Sequence, residues 1–229
     1  MEISKRLQTV ASLVRCRSMA DIGTDHGYVP LFLWEQKKID IAFACDINRG
    51  PLARAAENIA HMGAADAIQT RLGSGLAPLA AGEAQSVVIA GMGGMLICNI
   101  LSAHPEVAKA AQEWILSPQH DLEAVRRLVG EMGFVLDTEV MVQEDGKFYH
   151  IFRCVKGEPV PQSLAALRYG GHLLEQKDAL LWQELQQEET QYKKVIQGLE
   201  QQNSTRAAER LAELREKLAV IEEAKTWYK

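Results

Sequence analysis

Five short apolar runs that stop at glycine, aspartate or serine, interleaved with helical patterns, read as five strand–helix alternations through the first 132 residues of the chain. Nothing else constrains the fold as much. Parallel strands need crossovers of a dozen residues or more, and being buried on both faces they read as short continuous apolar stretches. The runs are Ser18 to Ala20, Ile41 to Cys45, Ala67 to Leu72, Ser86 to Ala90 and Trp114 to Leu116. Helical patterns cover Tyr28 to Lys37, Asn48 to Gly63 with Pro51 in the first turn, Gly94 to Ala103, and Asp121 to Met132 with Asp121 as its expected cap. A further helix is expected ahead of them, from the spacing of Ile3, Leu7, Val10, Ala11 and Val14. Two last strands, Phe134 to Val142 and Phe148 to Val155, flank Asp145-Gly146, a hairpin signal that makes the final pair antiparallel. The reading is α/β: a doubly wound, Rossmann-like sheet with a reversed final strand.

The pattern changes between Gly157 and Pro161, which divides the chain into residues 1–157 and 158–229. The second part is rich in Leu, Glu, Gln, Lys and Ala and has no strand signal. Trp182, Leu185, Glu189, Tyr192, Ile196 and Leu199 form one seam; Ala207, Leu211, Leu214, Leu218 and Ile221 form another. Steps of three and four mark the coiled-coil repeat. Asn203-Ser204-Thr205 separates the seams and offers N-cap side chains for the second helix. It also matches a glycosylation acceptor, which means little without a secretion signal. A helical hairpin closing within one chain makes a monomer the simpler expectation; pairing between chains stays open.

The chain ends its sheet strands with chemistry. Asp21-Ile22-Gly23-Thr24-Asp25-His26-Gly27 follows the first strand, Asp46 the second, Gly73-Ser74-Gly75 the third and Gly91-Met92-Gly93-Gly94 the fourth. In an open α/β sheet these carboxyl ends border the ligand crevice. Gly23 and Gly27 admit close approach to backbone. Asp46 falls 25 residues after Asp21, near the spacing of the acidic residue that grips a ribose. Gly23-x-x-x-Gly27 is neither the dinucleotide fingerprint nor a Walker loop, which argues against NAD and ATP. The set suits an adenosyl ligand, S-adenosylmethionine above others. His26 is either a ligand partner or a packing residue. Asp25 is solvated, caps the next helix, or faces the substrate or cofactor.

Composition narrows the setting. A net charge of −5 gives no support to non-specific nucleic-acid binding, though a local basic face is compatible with it. The four cysteines are scattered, with no metal-ligand spacing, and each sits in or beside an apolar run as a buried thiol would. No metal site and no membrane span are expected, the N-terminus carries no signal-peptide pattern, and a reducing cytoplasm is the expected compartment.

Taken together, Asp21 to Pro30, Asp46 to Leu52, Arg71 to Leu76, Ala90 to Gly94 and Gly146-Lys147-Phe148-Tyr149 resemble the bacterial tRNA adenine-N1 methyltransferases acting at position 22. The resemblance implies a class I S-adenosylmethionine-dependent domain followed by a helical domain, both engaging tRNA. It implies cofactor contacts from Asp21, Gly23, Thr24, His26, Gly27, Asp46, Ile47, Gly73, Ser74, Gly75, Ala90, Gly91 and Met92. The chain departs from the family in Ser74, where an acidic residue is common, and in Ser117-Pro118-Gln119, where many members read Gln-Pro-Asn. Asp25 and Gln119 are the candidate catalytic residues: Asp25 accepts from the exocyclic amine of the adenine, and Gln119 shapes its pocket. Lys5, Arg6, Arg15 and Arg17 form one candidate RNA-binding cluster; Lys193, Lys194, Arg206, Arg210 and Arg215 form another. Two rival readings stay open, a methyltransferase acting on a small molecule or protein, and a non-catalytic binding protein that uses its helical hairpin.

Overall fold

The structure, a computed structural model, describes residues 1–201 and 204–229. It divides into two compact units, Met1–Val160 and Pro161–Lys229.

The first unit is built on a seven-stranded sheet in the order β3-β2-β1-β4-β5-β7-β6. Its strands are β1 (Ser18–Ile22), β2 (Ile41–Asp46), β3 (Ile68–Leu72), β4 (Ser86–Met92), β5 (Glu113–Pro118), β6 (Phe134–Glu144) and β7 (Lys147–Lys156). The first five are parallel, and β7 inserts antiparallel between β5 and β6. The β6–β7 turn is tight because Asp145 and Gly146 both take positive φ, 50° and 74°. That backbone matches the right-handed twist of the flanking strands.

Helices cover both faces. α1 (Lys5–Leu13), α2 (Tyr28–Glu35) and α3 (Arg49–His61) bury Val10, Leu31, Leu33 and Ile59 against one side of the sheet, where Met19, Val88 and Ile115 point. α4 (Gly94–Ala103), α5 (Pro105–Ala110) and α6 (Leu122–Glu131) bury Ile97, Leu101, Ala108 and Val125 against the other, among Ile89, Trp114 and Phe152. Trp114 stacks on Phe134 and donates its indole N–H to the Ala108 carbonyl at 2.9 Å.

The alternation differs from the expectation at one place. β3 is followed by residues 73–85 without a helix, so four of the five strand–helix steps hold. Leu76 and Leu79 bury this connection in the core instead. α5 was not expected; it is a short helix begun by Pro105 at its first turn. Asp121 stands at the N-cap of α6 but makes no capping bond. Its φ is 57°, and its carboxylate turns to His120 Nδ1 at 2.7 Å.

The second unit holds α7 (Leu164–Tyr169), α8 (Gly171–Glu175), α9 (Ala179–Leu199) and α10 (Thr205–Thr226). The two long helices pack on each other, through Leu181, Leu185 and Ile196 on one side and Ala207, Leu214, Val220 and Ile221 on the other. Trp182 meets Tyr228 with ring centroids 4.8 Å apart, and Lys225 pairs with Glu189. Ser204 caps α10 by accepting from the Ala207 N–H at 3.2 Å; Asn203 lies outside the described residues. The seams give no sign of α7 and α8, which are too short to show a heptad. Among the described residues no helix is long and apolar enough to cross a membrane.

Candidate active site

The loop after β1 is fixed from below. Gly23 N–H and Thr24 N–H both donate to the Cys45 carbonyl, at 2.8 and 3.0 Å, which ties the loop to β2. Gly27 N–H closes a turn onto the Thr24 carbonyl, and the Asn58 amide donates to the His26 carbonyl at 3.0 Å. Gly23 and Gly27 take φ of 74° and 73°, the left-handed region where a side chain is strained. Asp21 lies under this loop, 5% exposed, accepting from the Thr24 hydroxyl at 2.7 Å. Burial pushes its carboxyl up to about 6; the Thr24 hydrogen bond opposes that and the Asp46 charge adds to it.

Asp25 is exposed, with φ of 51°, and makes no helix cap; Gly27 holds that position. The Asp25 carboxylate faces His26 Nε2 at 3.6 Å, and the His26 ring stacks on Tyr28 with centroids 5.1 Å apart.

At the end of β2, Asp46 is buried except for its edge. One carboxylate oxygen accepts from the Asn48 N–H at 2.7 Å, and the Asp46 carbonyl accepts from the Gly73 N–H at 3.0 Å. The ends of β2 and β3 are thereby joined. Ile47, the next residue, stands 64% exposed, an apolar side chain at the crevice edge. Ser74 is exposed. Gly73 and Gly75 have a packing role as well as a place at the rim: a Cβ would fall 2.9 Å from Pro78 on the first and 3.0 Å from Ile100 on the second.

Between them, β4 ends in a distorted step. Its register with β5 shifts between Ala90 and Met92, and the exposed Gly91 there has φ of 78°. Strand irregularities of this kind re-aim the chain beside active sites. The Met92 methyl lies where a Cβ on Gly23 would stand, so the rims of β1 and β4 touch. The loop after β5 is held against the same turn: Gln119 N–H donates to the Met92 carbonyl at 2.9 Å and Gly94 N–H to the His120 carbonyl at 3.0 Å. Gln119 itself is exposed. His120 sits over Gly93, so close that a Cβ there would meet its ring at 2.6 Å. Glycine is demanded at 94, where a Cβ would collide with the His120 carbonyl oxygen. His120 has no sequence signal of its own, because only the folded chain brings it to the rim. The hydroxyl of Ser117, at the end of β5, is buried and has no hydrogen-bond partner among the described residues.

Asp21, Asp46, the Gly73 turn, Gly91 and Gln119 all leave the sheet at its carboxyl rim, and Asp25 and Gln119 follow the two strands that flank β4. The basic residues do not gather in the same way. α1 has nine residues, which at about 1.5 Å per residue separates its ends by about 13 Å. Arg6 reaches the carboxyl rim: its guanidinium comes within 3.7 Å of the Cβ position of Gly91 and lies 5.2 Å over the Tyr149 ring. Lys5 stands beside it in the chain. Arg15 lies at the opposite rim, where its N–H donates to Glu113 at 2.7 Å, and Arg17 is paired with Asp40 there. The four expected as one cluster are thus two pairs at opposite ends of a helix. In the second unit Lys193 pairs with Glu189 at 2.8 Å, Arg210 with Glu213, and Arg215 with Glu200 at 2.9 Å; Lys194 and Arg206 are exposed.

A seven-stranded sheet with a reversed β7, a glycine loop after β1 and a carboxylate ending β2 define the class I methyltransferase fold. Residues 3–152 match the family described as a methyltransferase domain. The tRNA (adenine(22)-N(1))-methyltransferase of Bacillus subtilis is 32% identical over 97% of this chain and 97% of its own length. The crystal structure of the B. subtilis M1A22 tRNA methyltransferase TrmK superposes with a TM-score of 0.90 at 31% identity, covering 97% of this chain and 98% of that one. Streptococcus pneumoniae Sp1610, solved in complex with S-adenosyl-L-methionine, gives 0.88 at 30% identity over 97% and 99%. The chain belongs to the family of tRNA (adenine(22)-N(1))-methyltransferases.

Proposed function

We propose that this protein transfers a methyl group from S-adenosylmethionine to N1 of adenine 22 in tRNA. The observation that carries this reading is the likeness to the B. subtilis enzyme over 97% of the chain, through the sheet and the helical unit alike. The residues at the carboxyl rim fit the cofactor. Asp46 keeps one carboxylate oxygen beyond its bond to Asn48, suited to a ribose diol. Gly23 has no side chain and is covered by the Met92 methyl, the end of a flexible side chain, and Ile47 offers an apolar face for an adenine ring. Gly73, Ser74 and Gly75 line the far side of that adenine. Ala90, Gly91 and Met92 lie opposite, with Thr24, His26 and Gly27 closing the loop. Asp21 is a partner for positive charge, and a cationic ligand favours its ionised form.

When bound, the cofactor supplies an electrophilic methyl on a sulfonium. Adenine N1 has a lone pair and attacks without prior deprotonation, so positioning and electrostatics are what the chain must provide. The N1 edge is the pairing edge, so the base has to leave its stack first. Asp25 accepts from the exocyclic amine and faces the positive charge that methylation leaves on the ring. Gln119 holds the base from the β5 side. Residues 1–157 carry this chemistry, and the helices of 158–229 add a second surface for the tRNA through Lys194 and Arg206. A tRNA substrate and four free cysteines support a reducing, cytoplasmic setting.

The test is incubation with bulk tRNA and isotopically labelled cofactor, followed by mapping of the modified nucleotide. Label on N1 of adenine 22 is expected. Label in protein or in small metabolites, with none in tRNA, would replace this reading by another methyltransferase activity.

A further inference from the structure

Arg6 differs from the other arginines of the first unit. Arg17, Arg71, Arg126, Arg127 and Arg153 each pair with a carboxylate. Arg15, Arg49 and Arg54 are exposed. Arg6 is half-buried, and among the described residues no carboxylate pairs with its guanidinium. Glu144 meets Arg6 at the backbone instead: its Oε1 accepts from the Arg6 N–H at 3.1 Å. That bond anchors the start of α1 on the β6–β7 hairpin and sets where the side chain begins. The Tyr149 ring, 5.2 Å away, holds one face of the guanidinium, and Gly91 lies beside its Nη1. Five N–H donors in a fixed plane, partly shielded from water and without a counter-charge, make a seat for an anion.

We propose that Arg6 is a positioning residue that grips a backbone phosphate of the target nucleotide and so holds the extruded adenosine over Gly91. The inference rests on the function proposed above. A nucleotide that swings out of its stack turns about its own backbone, and its phosphate then lies at the mouth of the pocket. The base is excluded as the partner by charge, since N1 methylation makes it cationic and a guanidinium against it would oppose the product. The cofactor carboxylate is a second source of the same chemistry. Against it, Arg6 lies on the β4–β7 side, whereas the glycine loop and Asp46 lie on β1 and β2.

The experiment compares Arg6→Gln, Arg6→Lys and the surface variant Arg127→Gln in steady-state methylation of tRNA over a range of salt. Calorimetry with S-adenosylmethionine and thermal denaturation accompany it. Arg6→Gln is expected to lower kcat/KM for tRNA about 30-fold, as loss of one charge-assisted contact does. It should also reduce the slope of log affinity against log salt by about one. Arg6→Lys restores the salt slope and only part of kcat/KM, because a lysine cannot make the planar contact. Cofactor affinity and melting temperature stay unchanged in both, and Arg127→Gln matches the parent throughout. An Arg6→Gln enzyme with unaltered kcat/KM and salt slope would overturn the proposal while leaving the function standing. Weakened cofactor binding would overturn it in favour of the cofactor carboxylate. No transfer to tRNA by the unaltered protein would remove the functional reading, and the proposal with it.

Discussion

Asp21 and Glu113 are both buried carboxylates of the same sheet, and they have opposite fates. Glu113 opens β5 at the amino rim, 1% exposed. It accepts from the Ser86 hydroxyl at 2.6 Å, the Arg15 N–H at 2.7 Å and Arg153 Nε at 2.7 Å. Burial pushes its carboxyl up, but these donors outweigh the burial and hold it below the usual glutamate value. Asp21, near the carboxyl end of β1, has only the Thr24 hydroxyl as a side-chain donor and a second acid nearby, so burial prevails. A carboxylate whose acceptor sites are filled holds the fold together. One left short of donors raises the energy of the empty fold and keeps its affinity for an incoming cation.

The widest separation between the two should come from Glu113→Ala. It leaves the buried Ser86 hydroxyl and the Arg15 N–H without their acceptor and Arg153 with Asp137 alone, and removing one partner of a buried ion pair costs about 3–5 kcal/mol. The melting temperature should fall by about 10 °C in a chain of this size, with cofactor affinity intact at a temperature where the variant is folded. A loss of stability too small to measure would remove Glu113 from the comparison. Its lowered value also makes it stabilising above the unfolded glutamate range and lost as pH drops through its folded value.

Asp46→Ala should do the reverse. Two charge-assisted hydrogen bonds to a diol correspond to about a 100-fold loss of cofactor affinity by calorimetry. Stability should change far less than in Glu113→Ala.

Asp21→Asn sharpens the contrast by joining both effects. Between about pH 4 and 6 the folded protein binds more protons at Asp21 than the unfolded chain, so stability falls as pH rises through that window. At pH 8 the ionised group is a burden of about 3 kcal/mol, from a shift of roughly two units. The variant should therefore melt higher than the parent at pH 8, by an amount that shrinks toward pH 5. Cofactor affinity of the parent should weaken below about pH 6, and that of the variant should be low and flat. A parent whose affinity shows no inflection there would disconnect Asp21 from the ligand.

Gly23→Ala is the mildest change. The left-handed backbone costs a side chain about 1 kcal/mol, and the Met92 methyl moves aside easily. Cofactor affinity should fall further than stability does, as read by calorimetry against denaturant unfolding.

The carboxyl rim was largely legible in the sequence because its signals are local. Glycines after apolar runs, Asp46 at its spacing from Asp21, and Asp145-Gly146 between alternating strands each declare themselves within a few residues. The amino rim was not. Glu113 reads as an ordinary polar residue ahead of Trp114, and its partners lie at positions 15, 86 and 153, which no periodicity connects. Arg6 and Arg15 look like neighbours in the chain, and only the laying of α1 across the sheet parts them. Asp121 illustrates the limit of a local rule: its place before α6 fits a cap, yet a bond to His120 wins the carboxylate.

The Met92 side chain crosses from one strand to rest upon the naked peptide of another. An unbranched thioether turns on three soft bonds, so it can be swept aside and fall back without disturbing the sheet beneath. A ligand that settles against Gly23 therefore has to push the Met92 methyl aside, and nothing in the strand below has to move with it.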